Sequence, residues 1–128
     1  MNNNTYSEKL MKRFKDPQFV KSFEKPDAAG EVGNVACGDV MHLELMVDEK
    51  TKVIKDIGFK TFGCGAAIAS SDAVCELAKG KTLDEARKIT KEDVIKEFGE
   101  MPKIKVHCSI LGIEALEKAI GEYEKRSN

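Results

Sequence analysis

The chain has 128 residues, 41% hydrophobic and 34% charged, with 10 glycines and 4 cysteines, which is enough for one domain with a real core and no disulfide framework. Lysine and arginine number 21 against 22 aspartates and glutamates, a formal net charge of −1. That balance speaks against neutralising nucleic-acid phosphates as the main task, and 6% aromatics with no tryptophan speak against base stacking.

Residues 1–5 are polar and uncharged. They are expected to be disordered and resemble neither a secretory signal nor an arginine-rich transit peptide. The longest apolar runs, such as residues 66–69, fall far short of a membrane span. The expectation is a single soluble, cytoplasmic domain that engages neither nucleic acid nor membrane. In a reducing compartment its thiols stay unpaired, and such cysteines more often bind metal or do chemistry than form bridges.

In chain order, residues 6–14 carry Leu10, Met11 and Phe14 at helical spacing behind Ser7 as an N-cap, and Pro17 ends that helix. Residues 22–33, with Pro26, Asp27, Gly30 and Gly33 and little periodicity, read as a mobile loop. Residues 39–47 alternate in the manner of a strand with one face buried, and a turn through 48–51 leads to a returning strand at 53–62. Residues 66–79 read as a helix closed by Gly80. Thr82 with Glu85 and Thr90 with Asp93 make capping-box patterns for two short helices, the second closed by Gly99. Residues 103–106 alternate as a short third strand. From Ser109 to Lys125 an apolar stripe of Ile113, Leu116, Ile120 and Tyr123 predicts a long last helix, with Glu114/Lys118 and Glu122/Arg126 on solvated faces. The fold class is α+β, a small antiparallel three-stranded sheet with helices packed on it.

Three cysteines fall at element ends. Cys37 precedes the first strand of the hairpin, Cys64 follows the second between two glycines, and Cys108, after His107, opens the last helix. In an antiparallel hairpin the start of one strand lies beside the end of the next, so Cys37, Asp39 and Cys64 should share an edge. Helix N-termini at Cys64 and Cys108, with Lys105 nearby, favour the thiolate. Three thiolates, a carboxylate and an imidazole are all ligand types for zinc or iron. No C-x-x-C pair is present, which disfavours a zinc ribbon or a thioredoxin-like site. A carboxylate in place of a fourth thiolate should leave an exchangeable corner on an iron–sulfur cluster. The plainer alternatives are a tight strand-to-helix turn at Cys64 and a turn-capping Asp39. Cys75, mid-helix, reads as a small buried apolar residue, His42 as a surface strand position, and residues 122–126 as a solvated, fraying helix end.

Three blocks, Ala36-Cys37-Gly38-Asp39-Val40-Met41, residues 60–71 around Gly63-Cys64-Gly65, and Val106-His107-Cys108-Ser109-Ile110-Leu111, resemble the signatures of IscU/NifU-type iron–sulfur cluster assembly scaffolds. The likeness runs from about Tyr6 to Ile120, and residues 80–86 look like the family's helix junction. The resemblance implies a scaffold and not an enzyme. Sulfur would come from a cysteine desulfurase, a labile [2Fe–2S] cluster would be built on the chain with iron, and apoproteins would receive it. By matching positions, Cys37, Cys64 and Cys108 would be cluster thiolates and Asp39 and His107 additional or exchangeable ligands. Cys108 would also accept persulfide sulfur. A ferredoxin-type donor would supply electrons, and zinc is the alternative occupant of the cluster-free form. An edge site of this kind is compatible with a cluster-bridged homodimer.

Relatives served by a dedicated Hsp70-type chaperone carry Leu-Pro-Pro-Val-Lys where this chain reads Met101-Pro102-Lys103-Ile104-Lys105, so the resemblance leaves that partner unassigned. Asp16-Pro17-Gln18-Phe19-Val20-Lys21 likewise replaces an Asn-Pro-Arg-Asn-Val-Gly type segment. No counterpart of the C-terminal domains of full NifU proteins is expected in these 128 residues. The rival reading is a zinc-dependent sulfurtransferase of the SufU kind. That group typically carries an insertion between its second and third cysteines and a lysine where this chain has His107, and the sequence shows neither.

Overall fold

The computed structural model describes residues 8–34, 39–62, 65–97 and 106–127. Helix α1 (Glu8–Lys15) leads to β1 (Ala28–Asn34), β2 (Asp39–Val47) and β3 (Ile54–Phe62), then to α2 (Gly65–Ala78), the short α3 (Leu83–Ala86) and α4 (Lys91–Lys96), and the long α5 (Val106–Ser127). The strands form one antiparallel sheet in the order β1-β2-β3.

The hairpin of β2 and β3 follows the expected alternation. Met41, Leu43, Leu45 and Val47 of β2 and Ile57 and Phe59 of β3 are buried on the inner face, while Val40, His42, Glu44 and Met46 point the other way. Helices α2 and α5 cover that inner face, α2 against β3 and α5 against β1 and β2, giving two layers around one core. Both capping boxes form: Thr82 accepts from the Glu85 backbone, Thr90 from the Asp93 backbone, and each acidic side chain closes its box. Gly80, at φ 88°, ends α2 where a side chain would be strained.

Three expectations are corrected. Residues 28–33, read as part of a loop, belong with Asn34 to β1, which pairs with β2 from Ala28↔Leu45 to Asn34↔Asp39. Its run Ala-Ala-Gly-Glu-Val-Gly-Asn has little local strand preference. Pairing with β2 and cover from α5 decide its conformation. The third strand is therefore this one. Val106, expected at the end of a strand, is the first residue of α5, and residues 103–105 lie outside the described residues, as does Gly99. The C-terminal charge run is also more than solvated fraying, because α5 stays helical to Ser127 and Glu124 pairs with Arg87. No helix among the described residues is long and apolar enough to cross a membrane.

Candidate functional site

The directions of the elements decide where their starts meet. Strand β3 ends beside the beginning of β2, with Val40 opposite Phe62. Helix α2 then begins at Gly65 and runs back along β3, so that just past its end the Gly80 N–H donates to the Ile54 carbonyl at 2.8 Å. Near the end of α5, Tyr123 meets the β2–β3 turn, with the Lys52 ammonium 5.2 Å from the ring centroid. The start of α5 therefore faces the opposite edge, where β2 begins.

A buried contact joins the three elements close to their starts. The Ser71 hydroxyl of α2 donates to the Met41 thioether of β2 at 3.3 Å. A Cβ added at Gly112 of α5 would lie 3.2 Å from Val74 and 3.5 Å from Ser71, so α5 rests directly on α2 there. From this junction Asp39 is two residues back along β2, about 7 Å, Gly65 six residues back along α2, about 9 Å, and Cys108 four residues back along α5, about 6 Å.

The structure thus places Asp39 as the first residue of β2, and His107 and Cys108 as the second and third residues of α5, at the edge where these elements begin. Cys37 and Cys64 lie outside the described residues, as does Lys105. In the chain Cys37 stands two residues before β2 and Cys64 one residue before α2. The 14-residue α2 and the 22-residue α5 present helix N-termini to this edge, where backbone N–H groups favour thiolates and other anions.

Cys75 is fully buried and free, as its mid-helix position implied. Burial, followed by the nearby Asp72 carboxylate, pushes its thiol well above the usual range. It remains a protonated thiol packed as a small apolar group. His42 is on the outer sheet face as expected, half-buried, with Nε2 2.9 Å from Glu44 and Nδ1 3.3 Å from Glu31.

Sequence reasoning missed a second polar cluster. Asp72, fully buried in α2, accepts from the Gln18 and Phe19 backbone N–H groups at 2.7 and 2.8 Å and from Arg13 at 2.9 Å. Arg13 also reaches Glu76 at 2.9 Å and Glu97 at 3.2 Å, tying α1 to α2 and to the end of α4. A cleft of about 560 Å³ lies over these residues. Burial raises the Asp72 carboxyl against the opposing pull of its hydrogen bonds and Arg13. Arg13 loses hydration on burial, but Glu76 and Asp72 outweigh that loss and hold the guanidinium above its ordinary value. The available signal was the run Ser70-Ser71-Asp72 inside a helix that is otherwise apolar but for Glu76. The partners lie 53 to 59 residues away, and no local pattern names them.

Comparison with known proteins agrees with this architecture. The NifU-like N terminal domain family matches residues 5–128. The chain is 47% identical over 118 residues to the nitrogen fixation protein NifU of Azotobacter chroococcum mcd 1, covering 92% of this chain and 38% of that protein, so it spans well under half of that relative. It is 46% identical over 124 residues to the iron-sulfur cluster assembly scaffold protein IscU of Escherichia coli K12, covering 94% of this chain and 95% of that one. Among solved structures, a protein of Fervidobacterium islandicum AW-1 described as a candidate iron-sulfur cluster assembly scaffold for the SUF system superposes with a TM-score of 0.72. Its identity is 26%, over 90% of this chain and 96% of that one. A nitrogen-fixing NifU-like protein (N-terminal) from Brucella abortus, 18% identical over 93% and 94% of the two chains, shares the fold with a TM-score of 0.70. With its three-stranded sheet, its covering helices and a family match over nearly its whole length, the chain belongs to the NifU-like N-terminal domain family, the IscU/NifU type.

Proposed function

We propose that this chain is a scaffold for iron–sulfur cluster assembly. It accepts sulfur from a cysteine desulfurase, builds a labile [2Fe–2S] cluster as cargo, and hands that cluster to apoproteins. The observation that supports this reading is that β2, α2 and α5 all begin at one edge around Met41, Ser71 and Gly112. The names carried by relatives at 46–47% identity agree with it.

In this reading Cys37, Cys64 and Cys108 supply thiolates, and Asp39 and His107 are additional or exchangeable ligands. Cys108, in the first turn of a 22-residue helix, is held toward the thiolate by the helix N-terminus. It attacks the outer sulfur of the desulfurase persulfide. A new S–S bond forms at Cys108 as the donor's S–S bond breaks, and the donor cysteine leaves as thiolate. Two electrons from a ferredoxin-type donor then reduce that sulfur to sulfide and return the Cys108 thiolate. Asp39, a hard oxygen ligand to a soft cluster, is the corner that opens when the cluster leaves.

Anaerobic incubation with iron, a desulfurase, cysteine and a reductant is expected to give a visible-absorbing cluster that moves to an apo-ferredoxin. Failure of both formation and transfer would overturn the reading. Obligatory stoichiometric zinc in the working form, with no transferable cluster, would instead favour a SufU-like sulfurtransferase.

A further inference from the structure

The inner face of β1 carries a glycine where the neighbouring strands carry large side chains. Gly30, Leu43 and Phe59 are paired in one row across the sheet, and all three are buried. Helix α5 fills the space that a side chain at position 30 would take. A Cβ there would lie 2.6 Å from the Ala119 backbone nitrogen and 2.9 Å from the Lys118 Cβ, and would run into the Ala115 carbonyl oxygen. Two of these three obstacles are helix backbone, which no change of rotamer can remove. Lys118 closes the same contact by donating to the Glu31 carbonyl at 3.2 Å.

Among the described residues, α5 thus makes two close approaches at glycines, Gly30 of β1 under residues 115–119 and, toward its start, its own Gly112 on α2. Gly30 is a seat and Gly112 a pivot. Any added atom at the seat must move the helix by about 1 Å to restore ordinary separation. If the helix translates, its first turn moves by the same amount. If it tilts about Gly112, the arms to residue 117 and to Cys108 are about 7.5 and 6 Å, and the first turn swings by nearly as much the other way. Either motion changes where His107 and Cys108 stand relative to Asp39 and the start of α2.

We infer that Gly30 is a positioning residue of the site. Its missing side chain sets the height of α5 on the sheet and so where the first turn of α5, with His107 and Cys108, stands relative to Asp39 at the start of β2. This rests on the reading of His107 and Cys108 as ligands. Displacements of about 1 Å from a productive geometry cost up to about a hundredfold in function.

The test measures Zn²⁺ affinity of the full chain by chelator competition, together with the Co²⁺ absorption spectrum as a signature of thiolate coordination. Gly30→Ala is expected to weaken Zn²⁺ binding about 10- to 100-fold and to alter the Co²⁺ bands. Two controls separate positioning from simple destabilisation. Gly58→Ala introduces a similar clash, 2.8 Å from the Lys21 Cγ and against the Lys21 carbonyl, away from α5. It should lower the melting temperature and leave affinity within about twofold. Gly121→Ala adds a Cβ that meets nothing within 4 Å in the same helix, and should change neither affinity nor spectrum. Unchanged Zn²⁺ binding in folded Gly30→Ala would overturn the inference, as would an equal loss in Gly58→Ala. Should Gly30→Ala not fold, Lys118→Met decides. Removing the bond to Glu31 without adding bulk is expected to weaken Zn²⁺ binding about two- to fivefold, and unchanged binding would overturn the inference. Wild-type affinity in Cys108→Ser would sink the functional reading instead.

Discussion

At its start, α2 adjoins Cys64 in sequence and opens at the edge it shares with β2 and α5. In its middle, Ser71, Asp72 and Cys75 are fully buried. There each charged or polar group has a protein partner: Asp72 is met by Arg13 and two backbone N–H groups, and the Ser71 hydroxyl by Met41. Polar groups satisfied in this way hold elements together, and a thiol buried among them stays protonated. At the helix start, the backbone N–H groups of the first turn have no partners within the helix and can serve an incoming anion or thiolate. The same helix is thus a structural brace in its middle and, in the proposed function, a wall of the site at its beginning.

The comparison breaks if the middle proves functional. Asp72→Ala would leave the Gln18 and Phe19 N–H groups without their buried acceptor and Arg13 with only Glu76 and Glu97, and should cost about 2–4 kcal/mol of folding stability in denaturant titration. Asp72→Asn keeps an acceptor for the two N–H groups and should cost less. In the folded Asn variant, Zn²⁺ affinity is expected to match wild type; a loss comparable to that of a Cys108 variant would merge the two regions into one.

Acid titration sharpens the contrast further. Asp48 and Asp93 accept hydrogen bonds chiefly from the backbone at Thr51 and Thr90, and their carboxyls are held low. Asp56 is pushed up by burial, but bonds from Lys21 and Ile57 leave it low overall. Their contribution is present above the ordinary value of 3.8 and is lost as pH falls through the depressed folded value. Asp72 is raised by burial, so its contribution is full below 3.8 and is lost as pH rises through its folded value. Asp72→Asn removes that opposing term, and stability should fall more steeply on acidification than in wild type. An unchanged slope of stability against pH would contradict the assignment.

A smaller effect tests the scaffold behind both regions. Thr82→Ala removes the N-cap of α3 and should cost about 1 kcal/mol, with no change in metal affinity, since α3 and its junction with β3 lie at the end of the sheet remote from the α5 start. A shift in affinity would show that the far end of the fold also governs the site.

Much of this division was legible in the sequence. The alternation of residues 39–47, the β-branched and aromatic returning strand and the two capping boxes all announce themselves locally, and the structure bears them out. The meeting of element starts follows from hairpin pairing and helix order, so the positions of Asp39 at the start of β2 and of His107 and Cys108 in the first turn of α5 could be expected without coordinates. Strand β1 was not legible, because Gly30 and Gly33 suppress local strand preference, while Gly30 serves a long-range need as the seat of α5. The burial of Asp72 was hidden for a related reason: an acidic residue in a helix reads as solvated until its partners 53 to 59 residues away are known.

The most direct test of the central claim compares all four cysteines. Iron and acid-labile sulfide per chain should be measured after anaerobic reconstitution of wild type, Cys37→Ser, Cys64→Ser, Cys108→Ser and Cys75→Ala. Each of the three serine variants is expected to lose stable cluster while Cys75→Ala retains the wild-type content. Full iron and sulfide in the three serine variants, or their loss in Cys75→Ala alone, would contradict the account.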